Sequence, residues 1–287
     1  MTIQAWFEKR KQAQEQRKAL EAKVESNISS DLWVKCVHCN TQLPTFDLEN
    51  NEMVCPVCDY HFRIGARTRI KQLFDKDSFV EMFQNIKTTD PLEFVDTISY
   101  KDRLKNAQNK TKLDDGVITG IGKINGYRFA TAVMDFDFMG GSMGSAVGEK
   151  VTEIMETAIK EKIPMLAITS SGGARMQESV LSLMQMAKTS CACAKMDEEK
   201  ILYICLLTEP TFGGVTASFG TLGDIIIAEQ GARIGFAGRR VIEQTIKQKL
   251  PSDFQTAEYL LKYGQVDLIS KRKDLRDSLT RIVKMYN

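Results

Sequence analysis

Two stretches of the chain share one shape, and that shape limits the fold more than any other feature. Leu166-Ala167-Ile168-Thr169-Ser170-Ser171-Gly172-Gly173-Ala174-Arg175 runs from an apolar segment into paired glycines and on into a helix-forming segment. Leu206-Leu207-Thr208-Glu209-Pro210-Thr211-Phe212-Gly213-Gly214-Val215 does the same. Short apolar runs bounded by turn residues read as buried strands. Strands that alternate with helices read as an α/β domain with a largely buried parallel sheet. Paired glycines leave backbone N–H groups uncovered, and a following helix N-terminus adds positive potential. Two such turns side by side can bind an oxyanion; the plainer alternative is that the glycines only make tight turns.

The remaining elements fit this alternation. Gly116 to Ile124 and Gly126 to Phe136 read as a hairpin turning at Asn125-Gly126. Gly140 to Gly144 leads into a helix to about Lys160, and strands follow at Met165 to Thr169, Ile201 to Thr208 and Asp224 to Ala228. After a tight turn over Ser170 to Ala174, a long helix is expected to about Met196. Three more are expected near Val241 to Lys249, Thr256 to Tyr263 and Leu275 to Met285. Of the 19 glycines, 17 lie between Gly116 and Gly238, so backbone-exposing chemistry is concentrated in this domain.

Ahead of it stand two Cys-x2-Cys knuckles, Cys36 with Cys39 and Cys55 with Cys58. Four thiolates at this spacing close a tetrahedral Zn2+ shell with no open position, which points to a structural metal in a zinc ribbon. His38 and His61, the only two histidines, read as loop residues beside it. Cys191, Cys193 and Cys205 read as small core hydrophobes. The basic run Arg63, Arg67, Arg69 and Lys71 reads as a solvated helix face, with phosphate binding as the alternative. Three regions are expected: a charged N-terminal helix and linker over 1–31, the ribbon over 32–75 with its metal knuckles at 36–58, and the α/β domain over 76–287.

Several function classes are excluded or disfavoured. The 39 basic and 37 acidic residues nearly balance, which gives no global nucleic-acid or membrane signature. The longest apolar run, Ile201 to Leu207, is far short of the roughly 20 residues that span a bilayer. No secretory apolar core is visible near Met1, so the cytoplasm is the expected compartment. The α/β domain holds no histidine, which removes Ser-His-Asp and Cys-His catalysis, and it has no phosphate loop. Backbone donors and the acids Glu149, Glu178 and Glu209 remain, an inventory suited to enolate stabilisation.

The ribbon, Asp135-Phe136-Asp137-Phe138-Met139-Gly140-Gly141-Ser142, Ser171-Gly172-Gly173-Ala174-Arg175-Met176-Gln177-Glu178 and Gly213-Gly214-Val215-Thr216-Ala217-Ser218 together resemble the carboxyltransferase β subunits of bacterial acetyl-CoA carboxylase. Gly235-Phe236-Ala237-Gly238 and Val241-Ile242-Glu243-Gln244 are similar as well. Gly238-Arg239-Arg240 departs from the common Gly-Pro-Arg. The resemblance implies a crotonase-like (ClpP/crotonase) fold of stacked ββα units behind the zinc ribbon. It implies carboxyl transfer from carboxybiotin, on the biotin carboxyl carrier protein, to acetyl-CoA, giving malonyl-CoA for fatty-acid synthesis. It also implies an α2β2 heterotetramer with a carboxyltransferase α subunit, and biotin carboxylase in the holoenzyme. By resemblance Gly213 and Gly214 supply oxyanion donors, and Gly172, Gly173 and Ala174 form the neighbouring loop. Ala174, Gly140 and Gly141 are the expected acetyl-CoA contacts. Two rival readings are a stand-alone acyl-CoA hydratase or isomerase using Glu178 or Glu209, and an RNA-binding zinc-ribbon protein.

Overall fold

The computed structural model describes residues 32–286. The helix expected over Thr2 to Glu25 and its linker lie outside the described residues. The chain divides between Phe62 and Arg63 into two compact units.

In the first unit, β1 (Trp33–Lys35) pairs antiparallel with β2 (Gln42–Pro44), and a short helix α1 (Thr45–Asn50) follows. Its buried core is Cys36, Leu43, Leu48 and Cys55. So little apolar burial is marginal for a unit of this size, and a metal staple is the usual remedy. The two knuckles have matching backbones. Asn40 N–H donates to Cys36 O (2.9 Å) and Asp59 N–H to Cys55 O (3.0 Å), with Asn40 and Asp59 both left-handed.

In the second unit, helix α2 (Ala66–Leu73) comes first; reading by sequence attached it to the ribbon. The next elements are β3 (Val80–Met82), α3 (Tyr100–Thr111), β4 (Val117–Ile124), β5 (Tyr127–Met134), α4 (Ser145–Glu161), β6 (Met165–Ser171), α5 (Val180–Glu198) and β7 (Tyr203–Phe212). The chain ends with β8 (Ile225–Glu229), β9 (Ile234–Gly235), α6 (Arg239–Ile246), α7 (Ala257–Lys262), β10 (Leu268–Ser270) and α8 (Leu275–Tyr286). The sheet order is β10-β8-β7-β6-β5-β4-β3, with β9 beside β7. Strands β5 to β8 and β10 pair in parallel, and β4 and β3 extend the sheet antiparallel.

The expected hairpin is present. Asn125 and Gly126 both have positive φ, which a two-residue turn of this hand requires, and Asp75 accepts both their amides (3.0 and 2.8 Å). Strands β5, β6 and β7 are covered on both faces because their apolar residues alternate sides. Ala130, Ala132, Met165, Ala167, Cys205 and Leu207 join one core with Val147, Val151 and Ile154 of α4. Phe129, Val133, Leu166, Ile168, Ile204 and Leu206 join the other with Leu275, Leu279 and Ile282 of α8. Both glycine turns leave the carboxyl ends of these central strands, where α/β sheets present their ligand sites.

Two expectations change. The long helix starts at Val180, because Met176–Glu178 forms a single 3-10 turn and Ser179 at φ +49° breaks the helix. The short helix expected after Gly214 is one 3-10 turn, Phe219–Thr221. Neither glycine turn therefore feeds straight into an α-helix N-terminus.

Candidate functional site

The two glycine turns meet backbone to backbone. Gly213 has φ +63°, and a Cβ there would stand 2.8 Å from Gly173 Cα. No side chain fits that approach, so both positions need glycine for steric reasons. Gly141, also at positive φ, would place a Cβ 2.0 Å from Ser170 O, which ties the Gly140-Gly141 loop to the end of β6.

The amides separate into two groups. Gly172 N–H donates to Gly140 O (2.8 Å), Gly173 N–H to Ser171 Oγ (3.0 Å) and Gly213 N–H to Phe236 O (2.9 Å). These three amides hold the loops, Gly213 among them, although the resemblance implies a donor role for Gly213. Ala174 lies in a bridge with Met143 whose bonds run through Gly173 O and Arg175 N–H. Among the described residues, the N–H groups of Ala174 and Gly214 have no acceptor in this network. They are adjacent, since a Cβ on Gly214 would lie 3.4 Å from Ala174 N.

Beside these turns lies a cleft of about 610 Å³. Gly140, Gly172 and Ala174 line it, whereas Gly141, Gly173, Gly213 and Gly214 are not among its lining residues.

The carboxyl transferase domain family matches residues 63–260. Over 259 residues the chain is 55% identical to the acetyl-coenzyme A carboxylase carboxyl transferase subunit beta of Clostridium botulinum (strain Kyoto / Type A2), covering 90% of this chain and 89% of that one. The chain belongs to the acetyl-coenzyme A carboxylase carboxyl transferase subunit beta family. The subunit of the same name from Prochlorococcus marinus (strain MIT 9215) is 52% identical over 286 residues, covering 100% of this chain and 97% of that one. Among solved structures, a transcarboxylase 12S with hydrolysed methylmalonyl-coenzyme A bound superposes with a TM-score of 0.64 at 29% identity. That match covers 77% of this chain and 41% of the transcarboxylase chain. The crotonase-like α/β fold and the carboxyltransferase class expected from sequence are thus established.

In this β-subunit fold the acids once considered for acid/base work are occupied. Glu178 is 1% exposed. Its Oε1 accepts from Tyr100 OH (2.6 Å) and its Oε2 from Ser145 N–H (2.6 Å) at the start of α4. A Cβ on Gly144 would stand 2.3 Å from Glu178 Oε1, so glycine there admits the carboxylate. Arg175, fully buried, bridges Glu178 (3.4 Å) and Asp115 (2.5 Å) and donates to Ser142 O (2.8 Å). Burial, the largest single influence, raises the Asp115 pKa, but the Arg175 charge together with hydrogen bonds from Arg175, Thr88 and the Gly116 N–H holds it below the usual carboxylate range. Burial pushes the Tyr100 phenol well up, so it remains a donor. Glu209 is tied to Arg233, and Glu149 to Lys188. The hydratase reading lacks a free acid at these positions.

The basic run does not form one face. Arg69 is buried, and its guanidinium forks onto Glu229 (2.8 and 3.1 Å), which Arg272 also grips (2.9 and 3.0 Å). Arg63 stacks over Phe136, and Arg67 pairs with Glu81 (3.5 Å). Cys193 and Cys205 are core residues as expected, but Cys191 is exposed because it falls on the outer face of α5.

In the first unit the four cysteines converge as expected, with all Sγ atoms within 4.8 Å of one another. Cys36 Sγ lies 3.7 Å from Cys58 Sγ, and Cys39 Sγ 3.8 Å from Cys55 Sγ. Four sulfurs bound tetrahedrally at about 2.3 Å from zinc stand about 3.75 Å apart, so the cluster fits that ion, and the distances are too long for disulfides.

Reading by sequence missed the α3 wall of the cleft. Arg103, Ala107 and Lys110 lie on one face of α3, at i, i+4 and i+7, and line the cleft with Phe136 and Met139. The basic spacing on that helix was the available signal.

Proposed function

We propose that this chain moves the carboxyl group of carboxybiotin, on the biotin carboxyl carrier protein, to acetyl-CoA, giving malonyl-CoA. The adjacent Ala174 and Gly214 amides beside the cleft carry this reading. Loss of a methyl proton from acetyl-CoA places negative charge on the thioester oxygen. Two N–H groups aimed at that oxygen lower the barrier, and each such donor is typically worth ~3 kcal/mol. Gly172, Gly173 and Gly213 position those donors by fixing the loops. The Arg175, Asp115 and Glu178 cluster holds the Ala174 turn against α4. Biotin, when bound, supplies the carboxyl group and the base, which accounts for chemistry in a domain with no histidine.

The four cysteines hold one structural Zn2+, which supplies folding energy to the first unit. The ribbon precedes the carboxyltransferase unit as a separate module. The partner is a carboxyltransferase α subunit in an α2β2 assembly, with biotin carboxylase completing the cytoplasmic holoenzyme. Support comes from the exposed residues Met176, Val180, Leu183 and Met184, which run from the Ala174 turn along α5. An apolar helix face that starts at the site is suited to a second carboxyltransferase-fold chain that closes it.

The test is carboxyl transfer to acetyl-CoA by the chain alone and by the complex that copurifies from its own cells. Activity confined to the complex is expected. Enoyl-CoA hydration by the chain alone, without transfer by the complex, would overturn the proposal.

A further inference from the structure

We infer that helix α3 recognises the phosphates of the acyl-CoA, through Arg103 and Lys110. The inference rests on the carboxyltransferase reading above and names the part of the substrate that this wall meets.

A cleft of about 610 Å³ is far larger than an acetyl group needs. Its surface is divided by chemistry. Ile98, Phe136, Met139 and Met176 are apolar, whereas Arg103 and Lys110 bring two cations, with Asn106 between them. A coenzyme A thioester is divided in the same way, with a pantetheine arm of low charge joined to a nucleotide bearing a diphosphate and a 3′-phosphate. Ala174 and Gly172 line the same cleft, so the thioester and the nucleotide portion can share it.

The two cations are held in place but not neutralised beyond use. Arg103 pairs with Asp96 (2.5 Å), with both side chains about one-third exposed, and Lys110 reaches Asp137 at 3.5 Å with both largely exposed. The exposed Lys110 pair is weak, whereas Arg103 is held more firmly, its guanidinium also donating to Thr97 Oγ1 (2.9 Å). A phosphate offers more charge and better acceptor geometry than either carboxylate, so it can displace or share these contacts. Helix α3 is anchored for the task. Its N-cap Ser99 accepts from Asp102 N–H (3.1 Å), and Tyr100 and Leu104 are buried.

The experiment uses the complex of the chain with its copurifying partner. Calorimetry compares CoA with pantetheine, which lacks every phosphate, as ligands of wild type, Arg103→Gln, Lys110→Gln and the double variant. Malonyl-CoA decarboxylation is followed in parallel. Each single change is expected to weaken CoA about tenfold, as for loss of one charge-assisted bond, with pantetheine affinity and kcat preserved. Lys110→Arg is expected to restore CoA affinity. Unchanged CoA affinity in the double variant would overturn the inference, as would equal losses for CoA and pantetheine. If wild type binds CoA in this cation-dependent way yet never turns over malonyl-CoA, the phosphate site stands and the carboxyltransferase reading fails.

Discussion

Asp115 and Arg175 meet at 2.5 Å with neither side chain exposed, although 60 residues separate them in sequence. This contact joins the start of the β4 hairpin to the turn that carries the Ala174 amide. Arg175 also reaches Glu178, so one buried cation is shared by two carboxylates.

Removing the Asp115 charge leaves buried Arg175 with only the longer contact to Glu178 (3.4 Å). Asp115→Asn is expected to lower unfolding free energy by about 3–5 kcal/mol. Urea denaturation checks this. A loss under about 1 kcal/mol, the size of an exposed pair, would mean that the cluster is solvated.

The same pair sets an acid sensitivity. The folded pKa of Asp115 lies below its ordinary value, because the Arg175 charge and the hydrogen bonds from Arg175, Thr88 and the Gly116 N–H together outweigh burial. A depressed carboxylate contributes stability that is complete above its unfolded pKa, near ~3.9, and is lost as pH falls through the folded value. Wild type should therefore lose stability below about pH 4, and Asp115→Asn should flatten that slope. Denaturation curves at about pH 5 and about pH 3 read the difference. Identical slopes would count against the pairing.

Glu178 is buried and held by Tyr100, Ser145 and Arg175, as an anchoring residue would be. Glu178→Gln in the complex is expected to lower stability by about 1–3 kcal/mol through its Tyr100 and Ser145 contacts. The pH profile of kcat should keep its shape. A lost pH limb, with the Tm unchanged, would make Glu178 an acid or base after all.

Metal removal and thiol labelling separate two kinds of cysteine. The purified chain should carry one zinc, and Cys55→Ser should lose both metal and soluble protein. Outside the cluster, a thiol reagent should modify exposed Cys191 first. Burial pushes Cys193 and Cys205 up to about 12, which keeps both as unreactive thiols. Rapid labelling of Cys205 in the native protein would contradict its place in the sheet.

Legibility followed the range of the interactions. Asn125-Gly126 was readable because its turn geometry is local, and Cys36, Cys39, Cys55 and Cys58 because metal spacing is local within each knuckle. Arg69 was misread as a surface cation because its partner, Glu229, lies 160 residues away. Which glycine amides are committed depended on acceptors such as Phe236 O and Gly140 O, which lie outside the two glycine turns themselves. The break at Ser179 was hidden because the surrounding residues suit a helix, whereas the buried Arg175 and Glu178 beside it are held by distant partners, Asp115 and Tyr100. The cationic face of α3 was visible as spacing, but nothing local linked it to the glycine turns.

The most direct measurement is biotin-dependent decarboxylation of malonyl-CoA by the complex carrying Gly214→Ala, with the Tm recorded alongside. Gly214 has no positive φ, and the added Cβ meets the flexible Met186 Sδ at 3.0 Å, so the fold should survive. The methyl would crowd the Ala174 and Gly214 amides, and turnover is expected to fall about a hundredfold. Gly213→Ala, in contrast, should lower the Tm, because its Cβ would strike Gly173 Cα. Full turnover by Gly214→Ala, with Gly213→Ala equally active and stable, would contradict the assignment of these amides as the oxyanion donors.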